Sequence, residues 1–225
     1  MARRNRIALL TAATIASIIV LAFCLLSIWN PSDLRDASSL TWGVNEGDEF
    51  VYLVVIRGHR GSIDPEGGPH ILEPPFLAPM NNTRVRFNLT SLPSLPFLVD
   101  GDIFAEEVLN YSKTECRFEN GSEIPSMFRD YINRLLYRCL LPVGDWPLLD
   151  SLYPNEMDHA VYPGVYLSRT YADSFYIGYL LWPLDATISW GGNVSLTTGI
   201  PIIAEEVSDY PSVGTYLDNR LILVT

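Results

Sequence analysis

The segment EFVYLVVIR, residues 49–57, has the composition of a β-strand buried on both sides. Successive side chains of a strand point to opposite faces. One face carries Phe50, Tyr52, Val54 and Ile56, and the other carries Val51, Leu53 and Val55. A strand that is apolar on both faces lies inside a sheet or under a helix. The turn signal Gly47-Asp48 precedes it, so this segment predicts a central strand that begins at residue 49.

Two further segments supply a second strand and a helix. Residues 82–89 alternate apolar and polar side chains, which predicts a strand with one wet face. Residues 123–140 repeat apolar side chains at helical spacing, which predicts an amphipathic helix. Ser122 is expected to cap this helix, and Pro142 to end it.

The C-terminal part of the chain has the pattern of a β-meander. Its short β-rich runs are residues 164–171, 174–181, 186–190, 194–198 and 201–207. Gly191-Gly192-Asn193 predicts a tight hairpin turn, and residues 221–224 a short last strand at the sheet edge. The predicted fold class is α+β: a mainly antiparallel, curved sheet with one amphipathic helix packed on a face, preceded by a single transmembrane helix.

Residues 7–29 contain no charged side chain and are long enough as a helix to cross a bilayer. Arg3, Arg4 and Arg6 precede them, so the positive-inside rule places the N-terminus in the cytoplasm. The predicted organisation is a cytoplasmic tail (1–6), a transmembrane signal-anchor helix (7–29), a tether (30–40) and an extracytoplasmic domain (41–225). The predicted localisation is the cell membrane, as a single-pass protein.

Three alternatives to a retained anchor stay open. A pilin-type assembly helix is one, but no acidic residue lies near the start of the apolar stretch. A cleaved signal peptide shares the basic start, but its apolar region is usually shorter than this one. A lipoprotein would use Cys24, but Phe23 is bulky where a small residue is expected.

The charge of the chain bears on its partners. It has 15 lysine and arginine residues and 26 aspartate and glutamate residues. Three of the basic residues lie in the tail, so the outer part has a net charge of about −14. Such a surface repels nucleic acid, and acidity of this kind generally keeps a surface domain soluble. We therefore expect no nucleic-acid partner.

Cys116 and Cys139 are the two cysteines of the outer part. In an oxidising compartment they predict a disulfide, whose loop of about 24 residues would contribute about 3 kcal/mol in the chain-entropy model. Two buried free thiols are the alternative. Neither interpretation makes the cysteines catalytic.

Five Asn-X-Ser/Thr sequons exceed what the composition gives by chance, which favours a glycosylated outer surface. The predicted glycosylation sites are Asn81, Asn88, Asn110, Asn120 and Asn193.

Aromatic side chains concentrate in the predicted meander. They are Tyr162, Tyr166, Tyr171, Phe175, Tyr176, Tyr179, Trp182 and Trp190. Core packing and cross-strand pairs explain such a set most simply, and a ligand-lining wall is the alternative.

A Gly- and Pro-rich loop carries the residues most able to hold a metal. His59, Asp64, Glu66 and His70 combine two imidazoles with two carboxylates. Their spacing matches no known metal motif, and flexible loops collect polar residues for solvation alone. We therefore expect no metal, no cofactor and no catalytic residue, and keep a metal-dependent enzyme as an alternative.

Three segments carry a resemblance to known proteins. They are Trp42-Gly43-Val44, Gly47-Asp48-Glu49-Phe50-Val51-Tyr52 and Leu141-Pro142-Val143-Gly144-Asp145-Trp146. In these segments the chain resembles a diffuse group of uncharacterised archaeal cell-surface proteins with one N-terminal membrane helix and an outer domain. The resemblance covers about half of the outer domain and implies no activity.

The sequence thus predicts a membrane-anchored cell-surface domain that binds a partner or interacts with the envelope, without catalysis. The membrane is one partner, through the N-terminal helix, and a protein or glycan at the cell surface is the other. A carrier that encloses an apolar ligand or lipid between sheet and helix is an alternative function.

Overall fold

The computed structural model describes residues 34–62, 71–73, 75–109, 111, 113–152, 164–182 and 186–224. The chain divides into two units, Met1–Arg35 and Asp36–Thr225, and nearly all that follows concerns the second. The expected membrane helix at 7–29 lies outside the described residues. No helix of the described part combines the length and the apolar character needed to cross a bilayer.

Eleven strands and three α-helices are described. The strands are β1 (Arg35–Asp36), β2 (Glu49–Ser62), β3 (Ile71–Glu73), β4 (Arg84–Leu89), β5 (Leu98–Val99), β6 (Thr114–Phe118), β7 (Gly164–Thr170), β8 (Ser174–Leu181), β9 (Thr187–Ser195), β10 (Pro201–Tyr210) and β11 (Thr215–Leu223). The helices are α1 (Gly101–Ile103), which continues into a π-helical segment (Phe104–Leu109), α2 (Ser126–Tyr137) and α3 (Trp146–Leu152). Short 3₁₀ turns occupy Ala78–Met80 and Pro211–Val213.

One large sheet organises the domain. Its strand order is β6-β4-β2-β11-β10-β9-β8-β7, with β3 paired to β2. Every pairing in this sheet is antiparallel. The predicted α+β class with a mainly antiparallel sheet is therefore confirmed, although the described part has three α-helices where one was predicted. A curved sheet fits this order, because each strand is rotated by roughly 20° from its neighbour.

The segment 49–57 lies where its pattern predicts. It forms the first part of β2, which is flanked by β4 and β11. Tyr52, Val54 and Ile56 are buried on one face, which we call the helix face. Leu53 and Val55 on the other face are half-buried. The alternation of residues 82–89 is confirmed by β4, whose burial alternates strictly between exposed and buried.

The helix α2 packs on the helix face, against β6 and β10. Its buried side chains are Ile132, Leu135 and Leu136, three of those in the predicted apolar stripe. The helix begins at Ser126 rather than at residue 123, with Pro125 at the N-cap. Ser122 does not cap it, because its backbone N–H and hydroxyl both donate to the Oδ1 atom of Asn120.

The hairpin turn predicted at Gly191-Gly192-Asn193 is wrong, because β9 runs through all three residues. The glycines allow other groups to approach the strand closely. A Cβ atom on Gly192 would lie 2.6 Å from the Ile203 carbonyl oxygen and 2.9 Å from the Cys139 Sγ atom. The absence of a side chain at Gly192 therefore allows the chain after α2 to pack onto the sheet.

The position predicted for the last strand is also wrong. Strand β11 has nine residues rather than four, and it lies between β2 and β10 rather than at an edge. Its polar residues hid its length, since Asp218, Asn219 and Arg220 interrupt the apolar pattern. Among them Asp218 and Asn219 are buried, which requires polar partners.

Candidate ligand-binding cleft

Five side chains from five adjacent strands form one row across the helix face of the sheet. In register, Tyr166 pairs with Tyr179 and Tyr179 with Trp190, and the row continues through Glu206 to Asn219. Because adjacent strands lie about 4.8 Å apart, this cross-strand row extends over about 19 Å. Three aromatic rings occupy one end and two polar groups the other.

The aromatic end of the row is in mutual contact. The ring centroids of Tyr166 and Tyr179 are 4.7 Å apart, and those of Tyr179 and Trp190 are 6.2 Å apart. Tyr166 meets Trp190 edge to face at 6.3 Å. All three side chains are half-buried, so they present a platform of ring surface that is neither fully packed nor fully solvated.

A basic side chain at the C-terminal end of α2 lies over one ring of this platform. The guanidinium of Arg138, the residue after α2, lies 5.5 Å from the Trp190 ring centroid. Arg138, the three rings, Ala105 and Leu109 line a cleft of about 230 Å³, which we call the aromatic cleft. The π-helical segment supplies Ala105 and Leu109, so three parts of the chain build its walls.

The polar end of the row holds a hydrogen-bond chain. Asn219 Nδ2 donates to the Tyr131 hydroxyl at 2.9 Å, and this hydroxyl donates to Glu206 Oε1 at 2.8 Å. Burial and the neighbouring Glu206 charge raise the pKa of Tyr131 well above its ordinary value, so the hydroxyl stays a donor at neutral pH. In the described part, Asn219 Oδ1 is buried and accepts no hydrogen bond.

Two clefts near β6 have a different character. One of about 400 Å³ and one of about 380 Å³ are lined mainly by charged side chains of both signs. Two pairs of them neutralise each other, Arg86 with Glu49 at 3.3 Å and Arg129 with Asp130 at 3.5 Å. These groups are exposed, so we interpret this region as a solvated charged surface.

The proposed metal loop is only partly within the described residues. His59 lies on β2, half-buried and in register with Tyr216 of β11. Asp64, Glu66 and His70 lie outside the described residues. Where the structure is described, no three side chains of the metal-binding types come together. The alternative of a metal site on this loop therefore stays untested.

The predicted disulfide is not formed in the structure. Both cysteines are buried free thiols. Cys116 Sγ contacts the Arg129 carbonyl oxygen at 3.7 Å, whereas Cys139 faces Gly192 of β9. Each thiol thus has its own packing partner. Burial raises the pKa of both thiols to about 12, which makes them poor nucleophiles.

The predicted glycosylation sites differ in exposure. Asn81, Asn88 and Asn120 are exposed, Asn193 is half-buried within β9, and Asn110 lies outside the described residues. The side-chain oxygen of Asn81 accepts a hydrogen bond from the Ile56 backbone N–H at 2.8 Å. Asn120 lies in the turn after β6 and is bonded only to Ser122 of its own sequon, among the described residues.

The only lysine of the chain, Lys113, was not among the predicted site residues. Its side chain is 0 % exposed. Its Nζ atom donates to the Tyr137 carbonyl oxygen at 3.2 Å and lies 5.8 Å from the Trp42 ring centroid. Burial lowers the pKa of Lys113 to about 7. The only sequence feature that singled out Lys113 was the scarcity of lysine in a chain with 14 arginines.

The aromatic cleft could be foreseen only in part. The concentration of aromatic residues in the meander included Tyr166, Tyr179 and Trp190, with a ligand wall as one interpretation. Nothing local pointed to Arg138 or Glu206, because each lies on a separate element. The chain matches no family model, no curated protein and no solved structure.

Proposed function

We propose that the protein is a membrane-anchored extracytoplasmic binding domain and that it binds a carbohydrate in the aromatic cleft. The observation that carries the proposal is the cross-strand row, which places three half-buried rings beside Glu206 and Asn219. Binding sites generally combine apolar walls with a few convergent polar groups, and this row has that composition.

A sugar can contact both the aromatic and the polar part of the row, because Trp190 and Glu206 are neighbours in register. The C–H groups on one face of a pyranose pack against a ring such as Trp190, which is large, rigid and amphipathic. Sugar hydroxyls donate hydrogen bonds, and Glu206 has a second carboxylate oxygen for which the described structure shows no partner. The cleft volume of about 230 Å³ suits a single sugar ring.

Packing supports a surface site more than an internal cavity. Ile132, Leu135 and Leu136 of α2 are buried against the sheet, and the Cys139 side chain lies against Gly192. The half-buried rings, in contrast, remain partly open to solvent. These contacts favour the surface binding site over a lipid carrier.

Binding without chemical change is the simpler proposal. Glycoside hydrolysis generally uses two carboxyl groups on either side of the scissile bond. The cross-strand row contains one carboxylate, Glu206, and it is already hydrogen-bonded to Tyr131. The anchor and the sequons, predicted from the sequence alone, suit a domain that contacts glycans outside the cell.

The test is a glycan-array screen of the full-length protein in detergent, followed by titration of the best saccharide. Trp190→Ala removes the ring next to Glu206, and we expect it to weaken binding by at least 10-fold. Trp182→Ala is the matched control, because Trp182 is 42 % exposed and does not line the cleft. Its affinity should be unchanged.

Thermal melting of both variants separates lost binding from lost folding. Equal affinity in the Trp190 variant and wild type would place the ligand elsewhere. Absence of binding to any saccharide on the array would overturn the proposed function.

A further inference from the structure

Arg138 differs from the other described arginines, and this difference bears on which sugar the cleft selects. This inference rests on the proposed function. Among the described arginines only Arg138 and Arg220 are half-buried, while the rest are exposed. Arg220 Nε lies 2.8 Å from Asp218 and 3.4 Å from Glu205. Among the carboxylate side chains that the structure describes, which exclude those of Asp102 and Glu106, none lies within 4 Å of Arg138.

A half-buried guanidinium without an acceptor is costly. It has lost part of its hydration, and its five N–H donors have no acceptor in the described structure. The Trp190 ring at 5.5 Å compensates for part of this cost, because the negative face of an indole attracts a cation. The ring accepts no strong hydrogen bond, so the donors of Arg138 remain available to a ligand.

The position of Arg138 indicates what that ligand group is. The guanidinium lines the same cleft as the three rings, so a ligand that stacks on the platform brings its substituents near Arg138. A guanidinium fork matches a carboxylate in a bidentate arrangement, in which both hydrogen bonds are charge-assisted. A neutral hydroxyl offers a single acceptor and no charge.

The charge of the whole chain makes such a local cation more significant. The net charge is −11, so long-range steering disfavours an anionic ligand. Screening weakens this repulsion at physiological salt, whereas a contact made within a partly desolvated cleft is screened less.

We propose that the aromatic cleft selects an acidic monosaccharide unit, with the sugar ring on the Trp190–Tyr179 platform and the sugar carboxylate on Arg138. Glu206 is the neighbour of Trp190 in register, so hydroxyl groups of a sugar that stacks on Trp190 can reach it. Their contact orients the ring, and Arg138 discriminates the acid from its neutral counterpart.

The probes are two pairs of sugars: methyl β-glucuronide with methyl β-glucoside, and methyl α-galacturonide with methyl α-galactoside. Within each pair only carbon 6 differs, as a carboxylate or a hydroxymethyl group. Titration of the full-length protein in detergent should show a preference for the acid of about 10- to 100-fold in at least one pair. The preference should not decrease as sodium chloride is raised, because salt screens the long-range repulsion of the acid more than the contact with Arg138.

Arg138→Gln should abolish the preference and leave the affinity for the neutral sugar within about 3-fold. Arg134→Gln is the matched control, because Arg134 is exposed and lies 5.6 Å from the Tyr131 ring instead. Its preference should equal that of wild type. Arg138→Lys keeps the charge without the fork, so an intermediate preference is expected.

Equal binding of acid and neutral sugar by wild type would overturn this inference and leave the proposed function standing. An equal loss of both sugars in Arg138→Gln and in Arg138→Lys would show that Arg138 only shapes the cleft, which also overturns it. If the array and both pairs show no binding at all, the proposed function fails as well.

Discussion

The Nζ atom of Lys113 lies 3.2 Å from the carbonyl oxygen of Tyr137, at the C-terminal end of α2. In the described part of the chain this is the only hydrogen bond of the amine. Its remaining neighbours include the Trp42 and Tyr137 rings, at 5.8 and 5.9 Å from their centroids. A cation is favoured near a helix C-terminus and over an aromatic ring, but complete burial opposes the charge more strongly.

Stability should therefore depend on pH through Lys113. Its pKa is about 7 in the fold and 10.5 as the ordinary value. Between these values the unfolded chain binds more protons, so the free energy of unfolding rises with pH. Above about pH 9 the raised pKa values of Cys116 and Cys139 lower the free energy of unfolding as pH rises. From pH 7 to pH 9 we expect a gain of about 2 kcal/mol from Lys113.

Urea unfolding followed by circular dichroism measures this slope. Lys113→Met keeps an unbranched side chain only one atom shorter, and it should flatten the slope between pH 7 and pH 9 and raise stability at pH 6. Arg117→Met, on the exposed face of β6, serves as control and should keep the wild-type slope. If the pH slope persists in Lys113→Met, other titratable groups cause it.

Cys116 and Cys139 should not react with a thiol reagent in the native protein. Both are buried, and both thiols have pKa values of about 12, so the reactive thiolate is scarce and inaccessible. A Cys24→Ser variant removes the third cysteine. With Ellman's reagent we expect a thiol count near zero when native and close to two in denaturant. Zero thiols in denaturant without reductant would demonstrate the predicted disulfide instead.

Gly192→Ala should destabilise the domain by about 1–3 kcal/mol, the range for an overpacked core. The added Cβ atom would meet backbone, at 2.6 Å from the Ile203 carbonyl oxygen, as well as the Cys139 side chain. Gly178→Ala on the adjacent strand is the matched control. There the nearest atom is the hydroxyl oxygen of Tyr176, which can move, so the loss should be smaller. Comparable melting temperatures for the two variants would contradict this account of the β9 glycines.

Glycan occupancy should be highest at Asn120 and lowest at Asn193. Asn120 lies in an exposed turn, whereas Asn193 is half-buried in β9 between strands β8 and β10. Glycopeptide mass spectrometry of the protein from a glycosylating host measures both. Ser122→Ala should remove the glycan at Asn120 alone. Full occupancy at Asn193 would mean that the sequon is modified before β9 joins the sheet.

The patterns confirmed by the structure are local ones. The double-sided apolar run at 49–57 predicted a central strand, and β2 is central. The alternation at 82–89 predicted one wet face, and β4 has it. The apolar stripe of α2 was visible for the same reason: the period of apolar residues directly reports which faces of an element are buried.

The wrong predictions concern residues whose role is set by contacts with distant parts of the chain. Gly191-Gly192-Asn193 has the composition of a turn, but its glycines allow Ile177, Ile203 and Cys139 to approach. Likewise Asn219 weakens the apolar pattern of β11, although it is buried and bonded to Tyr131, 88 residues away.

The sequence by itself therefore determined the central strand, the strand with one exposed face and the amphipathic helix, because each follows from the periodicity of a few consecutive residues. It also carries the predictions of an anchor and of surface glycans. Only the tertiary structure decided that β11 lies beside β2, that Tyr166, Tyr179, Trp190, Glu206 and Asn219 form one row, and that Arg138 lies over Trp190. The reason is physical: strand order and register are selected by packing between distant segments, and no local pattern encodes which strands become neighbours.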